Sequence, residues 1–354
     1  MIGGRVPAGQ PLHILAETAM NSPAANPRFD ILGIGNAIVD VVAPVDEAFL
    51  SRHDMHKGAM ALIDAASAET LYAAMPAGQE SSGGSAGNTC AVAAQLGARV
   101  AYLGKVADDQ LGGVFRHDIA AVGVHFPTTP LVGGAPTARC LILVTPDGQR
   151  TMNTFLGACV TLGEADVDEA LVAQSAVTYL EGYLFDPPAA QAAFRRAAAA
   201  AHAAGRQVAL SLSDAFCVDR HRAAFRELVA GHVDILFANE IEITRLYECN
   251  DWREAATMAR RDVALAALTR SEAGSLVLRG AETVEVAAVP TRVVDTTGAG
   301  DAYAAGFLAA LTAGRPLAQC GRLGSIAAAE VIGHYGARPQ RDLSGEMAQL
   351  GTQG

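Results

Sequence analysis

The sequence predicts an α/β protein, a mostly parallel sheet covered by helices on both faces. Three observations lead there. From Val177 onward, short apolar runs alternate with longer runs of helical character, the pattern of a parallel sheet joined by helical crossovers. Two glycine-rich turns, Gly83-Gly84-Ser85-Ala86-Gly87-Asn88 and Thr297-Gly298-Ala299-Gly300, each open a helix-like stretch of small and apolar residues. The chain has 354 residues, 51% apolar and 18% charged, enough to fill one large α/β domain with a small appendage, or two domains.

Residues 1–28 are rich in Gly, Pro, Ala and Asn without periodicity and read as a poorly ordered extension, with Met20 an internal candidate start. Phe29 to Gly35 reads as a short apolar strand, followed by Asn36 to Asp40. Gly33 and Gly35 lack the third glycine of the dinucleotide fingerprint, which speaks against a Rossmann dehydrogenase. Asn36 and Asp40 fall near a strand end, where open α/β sheets bind ligands. A surface aspartate in a second strand accounts for Asp40 equally well. The turn at Gly83 leads into a helix from Thr89 to Leu96, then a strand from Val100 to Val106 and a helix from Leu111 to Val122. Gly104-Lys105 does not end a Walker A loop, because Val106 follows the lysine and Arg99 stands where the first glycine belongs.

Cys140 to Val144 and Arg150 to Phe155 form a predicted hairpin around Pro146-Asp147-Gly148. Alternation puts Arg150, Met152, Thr154 and Leu156 on one face. An arginine beside an apolar stripe suits a phosphate next to a base or sugar, and suits an ordinary strand with a surface arginine too. Strands are then predicted at Val177 to Leu180, Val208 to Leu212, Ile235 to Ala238 and Ala264 to Leu268. Helices are predicted at Pro188 to Ala204, at Arg222 to Ala230 and within Glu240 to Arg261. A hairpin-like pair follows at Ser275 to Leu278 and Thr283 to Val286. The apolar segment from Glu285 through Val294 is expected to lead as a strand into Asp295-Thr296-Thr297-Gly298-Ala299-Gly300-Asp301, with Ala302 to Leu311 as the helix beyond. Pro316 to Gly333 is the last long helix, and residues 343–354 are expected to be a loose tail.

The chemistry concentrates at that last turn. Gly298 and Gly300 let the backbone fold tightly and approach a ligand. The unpaired amides at a helix start, with the helix dipole, hold an anion, most often phosphate. A carboxylate at Asp301 can take the proton of an attacking hydroxyl. A glycine-rich turn with Asp301 as a helix cap is the plainer account. Asn239-Glu240-Ile241-Glu242 likewise follows a strand and fits helix capping by Asn239 with Glu240 in the first turn. The formal charge of −11, from 26 basic and 37 acidic residues, argues against a general nucleic-acid binder. No apolar run is long enough to span a membrane and no secretory signal is seen. Six cysteines without a CxxC pair read as free thiols of a cytoplasmic protein.

The two glycine-rich turns, the first running on through Gly104 to Gly112-Gly113, resemble the two signatures of the ribokinase-like sugar and nucleoside kinases, the PfkB family. The resemblance covers residues 30 to 340. Gly35 to Asp40, Asp234 to Glu240 and Arg150 to Leu156 are most similar to the adenosine kinase branch. The resemblance implies a ribokinase-like domain over residues 29–342 with a discontinuous β lid at about 46–64 and 131–158. It implies Asp301 as catalytic base, Gly298, Ala299 and Gly300 as anion hole, and Arg150 as a charge-balancing group. Asp40 would grip two vicinal sugar hydroxyls, with Asn36, Gly84, Ser85 and Asn88 around the sugar. Ile38, Leu62, Met152, Thr154 and Leu156 would line a base pocket. Asn239, Thr269, Gly274 and Thr297 would meet ATP or its phosphates, and Glu242 would hold Mg2+ through water. The implied reaction is ATP-dependent phosphorylation of the 5′-hydroxyl of a ribonucleoside, foremost adenosine to AMP, with a ribose or fructose kinase as the alternative. ATP and Mg2+ are the implied cofactors and a monovalent cation is left open. The partners are then a nucleoside or sugar and ATP, with no nucleic acid or membrane, and the chain a monomer or homodimer.

Overall fold

Short apolar runs bounded by Gly, Pro or Asp fold as strands, and the alanine-rich runs between them as helices. The computed structural model describes residues 26–350, so the expected extension over 1–28 lies almost wholly outside the described residues. Among the described residues the strands are β1 (Phe29–Ile34), β2 (Ile38–Pro44), β3 (Met60–Leu62), β4 (Gln79–Gly83), β5 (Val100–Leu103), β6 (Val124–His125), β7 (Ala138–Val144), β8 (Arg150–Phe155), β9 (Ser175–Glu181), β10 (Gln207–Ser211), β11 (Ile235–Asn239), β12 (Leu265–Thr269), β13 (Ser275–Arg279) and β14 (Glu282–Val286). Nine of them form one sheet in the order β14-β13-β12-β11-β10-β9-β1-β5-β6. All its neighbours from β12 to β6 pair parallel, and β13 and β14 add an antiparallel hairpin at the edge.

Period-two alternation sends each strand's side chains to two separate cores. Ile31, Val177, Tyr179, Ile235 and Phe237 face α3 (Ser85–Gln95), α4 (Gln110–Ala121), α10 (Ala299–Thr312) and α11 (Leu317–Val331). Leu32, Ile34, Leu180, Leu236 and Ala238 face the other helices: α5 (Glu169–Ala173), α6 (Pro188–Ala203), α7 (Ala215–His232), α8 (Glu240–Tyr247) and α9 (Trp252–Asp262). Burial on both faces explains the near-continuous apolar character of these strands.

The remaining strands make a second sheet, β3-β8-β7-β2-β4. It draws on residues 38–44 and 79–83 as well as the expected lid segments. Its outer face is packed by α2 (Ala65–Ala74), with α1 (Glu47–Arg52) nearby.

Two local expectations are corrected. Residues 287–298 form no strand, so the glycine-rich turn at Gly298 is entered from a loop. Pro290 interrupts that apolar segment, and Val293 and Val294 face outward there instead of pairing in a sheet. The expected loose tail is docked as far as residue 350. Leu343 and Leu350 are buried, Met347 packs against the same core, and α12 (Glu346–Gln349) lies between them. The spacing of 343, 347 and 350 is that of one helical face.

Candidate active site

The order of the large sheet reverses at β1, which lies between β9 and β5. Parallel sheets bind ligands outside the carboxyl ends of their strands at such a point. Here the chain leaves β1 at Gly35, and Asn36 turns to meet Glu181 at the end of β9. The Asn36 side-chain amide donates to Glu181 Oε1 at 2.8 Å, and its backbone N–H to the same oxygen at 3.2 Å. Glu181 Oε2 accepts from the Ala86 amide, near the start of α3, at 2.7 Å. Glu181 is thus a brace between two strand ends and a helix start. Burial pushes its carboxyl up to about 7 despite these three donors. Glu181 belongs to no motif in the sequence. Its signal is a charged residue closing an otherwise apolar strand.

Two helices begin at this edge, α3 and α10, and both start at a glycine with positive φ. Gly84 has φ +83, and a Cβ there would stand 2.1 Å from the Asn36 carbonyl oxygen. Gly298 has φ +77, and a Cβ there would stand 2.7 Å from Ala337 Cβ. Neither N-cap residue has a side chain that takes an amide, and apart from the Ala86 amide held by Glu181 the first-turn amides of both helices have no side-chain partner. The Ala299 amide is an exception to the expected anion hole, because it donates to the Thr296 carbonyl at 3.2 Å. Gly300 is exposed, and a Cβ on it would meet nothing within 4 Å, so a ligand can reach the backbone there.

Asp301, in the first turn of α10, receives a side-chain donor from α3: Ser85 Oγ donates to Asp301 Oδ1 at 2.6 Å. Burial raises the Asp301 carboxyl to about 7, the Ser85 bond opposes the rise, and the charges of Glu181 and Asp40 add to it. A carboxylate poised near neutral pH suits a general base. Ser85, expected around the sugar, is thus bonded to Asp301, the expected base, and Asn36 is bonded to Glu181.

The second sheet supplies the opposite wall. Register aligns Leu62, Thr154, Cys140, Asp40 and Ser81 in one row across five strands. Met60, Met152, Ile142 and Val42 make the next row on the same face. The polar end of this face is Asp40, whose carboxyl is pushed up to about 6 by burial, with Arg338 and Arg150 pulling against the rise. The apolar end is open: Leu62 is 63% and Met60 57% exposed. Thr154 is buried, and its hydroxyl donates to Cys140 Sγ at 3.2 Å. Leu156 lies beyond the end of β8 with helical backbone angles, so strand alternation does not carry it onto this face. Asp40, Asn88, Arg150 and Arg338 line one cavity of about 300 Å3 between the sheet and the body. Arg150 forms an ion pair there with Asp295, and both side chains are largely buried. Asp295 also accepts from the Thr297 amide at 3.0 Å, the Thr297 hydroxyl at 2.7 Å and the Gly336 amide at 3.2 Å.

Further along the strand ends, Asn239 and Thr269 are register partners at the ends of β11 and β12. Asn239 caps α8 by accepting from the amides of Ile241 and Glu242, each at 2.9 Å. Its own amides donate to the Glu242 carboxylate, at 2.9 Å from the backbone and 2.6 Å from the side chain. The pair forms a capping box. Burial pushes the Glu242 carboxyl up to about 7, with the Asp214 charge adding to the rise. A buried carboxylate with no cationic partner in this box and further lone pairs fits a magnesium ion held through water. Gly274, at φ +83, closes the tight turn that returns β13 along β12. The Tyr183 hydroxyl is pushed up by partial burial first and then by the charges of Asp214, Asp301, Glu242 and Glu181.

The chain matches the pfkB family of carbohydrate kinases over residues 58–342. It is similar to an adenosine kinase from Sinorhizobium meliloti, with 57% identity, a TM-score of 0.82 and coverage of 91% of this chain and 99% of that one. It is also similar to a probable sugar kinase protein from Rhizobium etli CFN 42, with 51% identity, a TM-score of 0.83 and coverage of 92% and 99%. Adenosine kinase 1 of Arabidopsis thaliana is 27% identical over 350 residues, spanning 88% of this chain and 97% of its own. Among the described residues no helix is long and apolar enough to cross a membrane. The chain belongs to the PfkB family of carbohydrate kinases and is a phosphotransferase that takes an alcohol group as its acceptor.

Proposed function

We propose that the acceptor is a ribonucleoside, with adenosine preferred, phosphorylated at its 5′-hydroxyl by ATP. The observation that carries this reading is the row from Asp40 to Leu62. Its ends are three strand spacings apart, about 14 Å, which suits a ribose with a base and exceeds what a single sugar covers. Asp40 would take two vicinal hydroxyls at the polar end. Leu62, Met60 and Met152 would lie against the base. Burying a hundred Å2 of such surface favours binding by roughly 2–3 kcal/mol, or some 30- to 150-fold before ordering costs. The relatives' names, an adenosine kinase and a probable sugar kinase at similar identity, leave the acceptor to be decided by this surface.

In the reaction Asp301 takes the proton of the 5′-hydroxyl as its oxygen bonds to the γ-phosphorus. The bond from that phosphorus to the bridging oxygen breaks and ADP leaves. The free amides at the start of α10 stabilise charge on the transferring group, and Arg150 adds to this if its guanidinium leaves Asp295. Asn239 and Glu242 would hold magnesium through water, and the ion would neutralise charge on the phosphates. Specificity constants for adenosine, inosine, guanosine, cytidine, ribose and fructose, with ATP and magnesium, test the reading. Adenosine is expected to lead. Ribose or fructose ahead of every nucleoside would replace it with a sugar kinase.

A further inference from the structure

Ser85 is held in place from both of its chain neighbours. It is the first residue of α3, and its hydroxyl donates to Asp301 Oδ1 at 2.6 Å. Gly84 precedes it with φ +83, and the Asn36 carbonyl oxygen lies so close that a Cβ on Gly84 would stand 2.1 Å from it. Ala86 follows it and donates its amide to Glu181 Oε2 at 2.7 Å. Asn36 is fixed by the other oxygen of the same side chain. Glu181 Oε1 accepts from the Asn36 backbone amide at 3.2 Å and from its side-chain amide at 2.8 Å. One carboxylate thus sets the backbone on both sides of Ser85. It comes from the last residue of β9, inside the large sheet, and is 1% exposed. The fit is close: a Cβ on Gly35 would stand 2.3 Å from Glu181 Oε2 and 2.6 Å from the Ala86 Cβ.

We infer that Glu181 is a positioning residue for the catalytic base: by holding Asn36 and the Ala86 amide, it sets the first turn of α3 so that Ser85 Oγ meets Asp301. The inference rests on the reading of Asp301 as base. Three N–H groups converge on two oxygens, and an ionised carboxylate accepts at both without donating at either. A glutamine of the same shape offers one oxygen and one NH2 group. Either Ala86 or Asn36 would then face a donor with a donor. The first turn of α3 has to shift to relieve this, and Ser85 is its first residue. Asp301 then loses the hydroxyl that holds its carboxylate in place. Stability alone does not call for such a brace, since burying a charge without a cation is costly. A bond from Glu181 to the acceptor would need an oxygen facing the cleft, whereas both oxygens are engaged and the side chain is enclosed.

A double-mutant cycle tests this, run with whichever of adenosine or ribose the wild type phosphorylates faster. Glu181→Gln is expected to lower kcat at least tenfold, a fraction of what a positioned base contributes, with the KM for ATP within twofold of wild type. Ser85→Ala is expected to lower kcat at least as far. In the Ser85→Ala background, Glu181→Gln is expected to lower kcat no more than twofold further, because it acts through Ser85. Thermal melting checks that each variant is folded. Should Glu181→Gln not fold, Glu181→Asp, which draws the carboxylate back by one methylene, goes through the same cycle. A smaller loss in kcat, an ATP KM raised beyond twofold, or a further loss above twofold in the double variant overturns the inference. A raised acceptor KM that persists in the Ser85→Ala background also overturns it, because Glu181 would then meet the acceptor itself. Asp301→Asn run in parallel separates the two readings. If it turns over near the wild-type rate, the base assignment falls. If it is inactive while the cycle is additive, only the role of Glu181 falls.

Discussion

Ser85 Oγ donates to Asp301 Oδ1 at 2.6 Å across 216 residues of sequence. The bond joins the first turns of α3 and α10, the helices opened by the two glycine-rich turns. One contact therefore ties the two glycine-opened helix starts together. Asp301→Asn should lower kcat by about 10²–10⁴-fold, the usual worth of a positioned base, while titrations of acceptor and ATP stay close to wild type. A loss below tenfold would remove Asp301 from that role.

Activity should rise with pH through about 7 in the free enzyme, as Asp301 loses its proton. Ser85→Ala removes a donor that favours the charged carboxylate, so the acid limb of kcat/KM should move to higher pH. A limb that stays in place or moves down would contradict the assignment.

Stability should run the other way. Asp40, Glu181, Asp301 and Glu242 all have carboxyls raised by burial, to between about 6 and about 7. The folded chain keeps their protons at pH values where the unfolded chain has lost them, so their contribution is present at low pH and lost as pH rises through 6 to 7. Carboxyls held below their ordinary value, such as Asp109, Asp118 and Asp295, change charge below this window. The ligand-free protein should therefore melt at a lower temperature at pH 8 than at pH 5.5. Glu181→Gln should reduce the difference. Equal or higher melting at pH 8 would count against the raised values.

Arg150→Ala should lower the single-turnover rate of phosphoryl transfer by roughly 10- to 100-fold and change the acceptor KM less than threefold. Arg150 is the first residue of β8 and pairs with Asp295, which also holds Thr297 and Gly336. Losing it unpairs a largely buried carboxylate beside the anion site. Wild-type single-turnover rates would show that the pair is structural only.

Gly298→Ala should cost about 1–2 kcal/mol of stability from the left-handed backbone alone, and more from the contact with Ala337. Melting and kcat should fall together, because the same residue shapes the first turn of α10. A variant as stable as wild type would mean that the turn readily gives way.

The alternation of apolar runs with helical ones determined the sheet and its two helical layers. Each run carries its own period, and period decides which face is buried. The glycine-rich turns likewise marked both helix starts at the site, since few residues other than glycine adopt φ values of +83 and +77. Local pattern reached no further. The segment before Asp295 looks apolar enough for a strand, yet no strand among the described residues pairs with it. Leu156 continues an alternation that the backbone abandons one residue earlier. Nothing local shows that Asn36 bonds to Glu181 or Ser85 to Asp301. No local pattern marks Arg338. Its three partners lie 220 to 256 residues away on α3, α4 and β4. A side chain's partner depends on the register of strands and the path of loops between distant segments, and that arrangement exists only once the chain has folded.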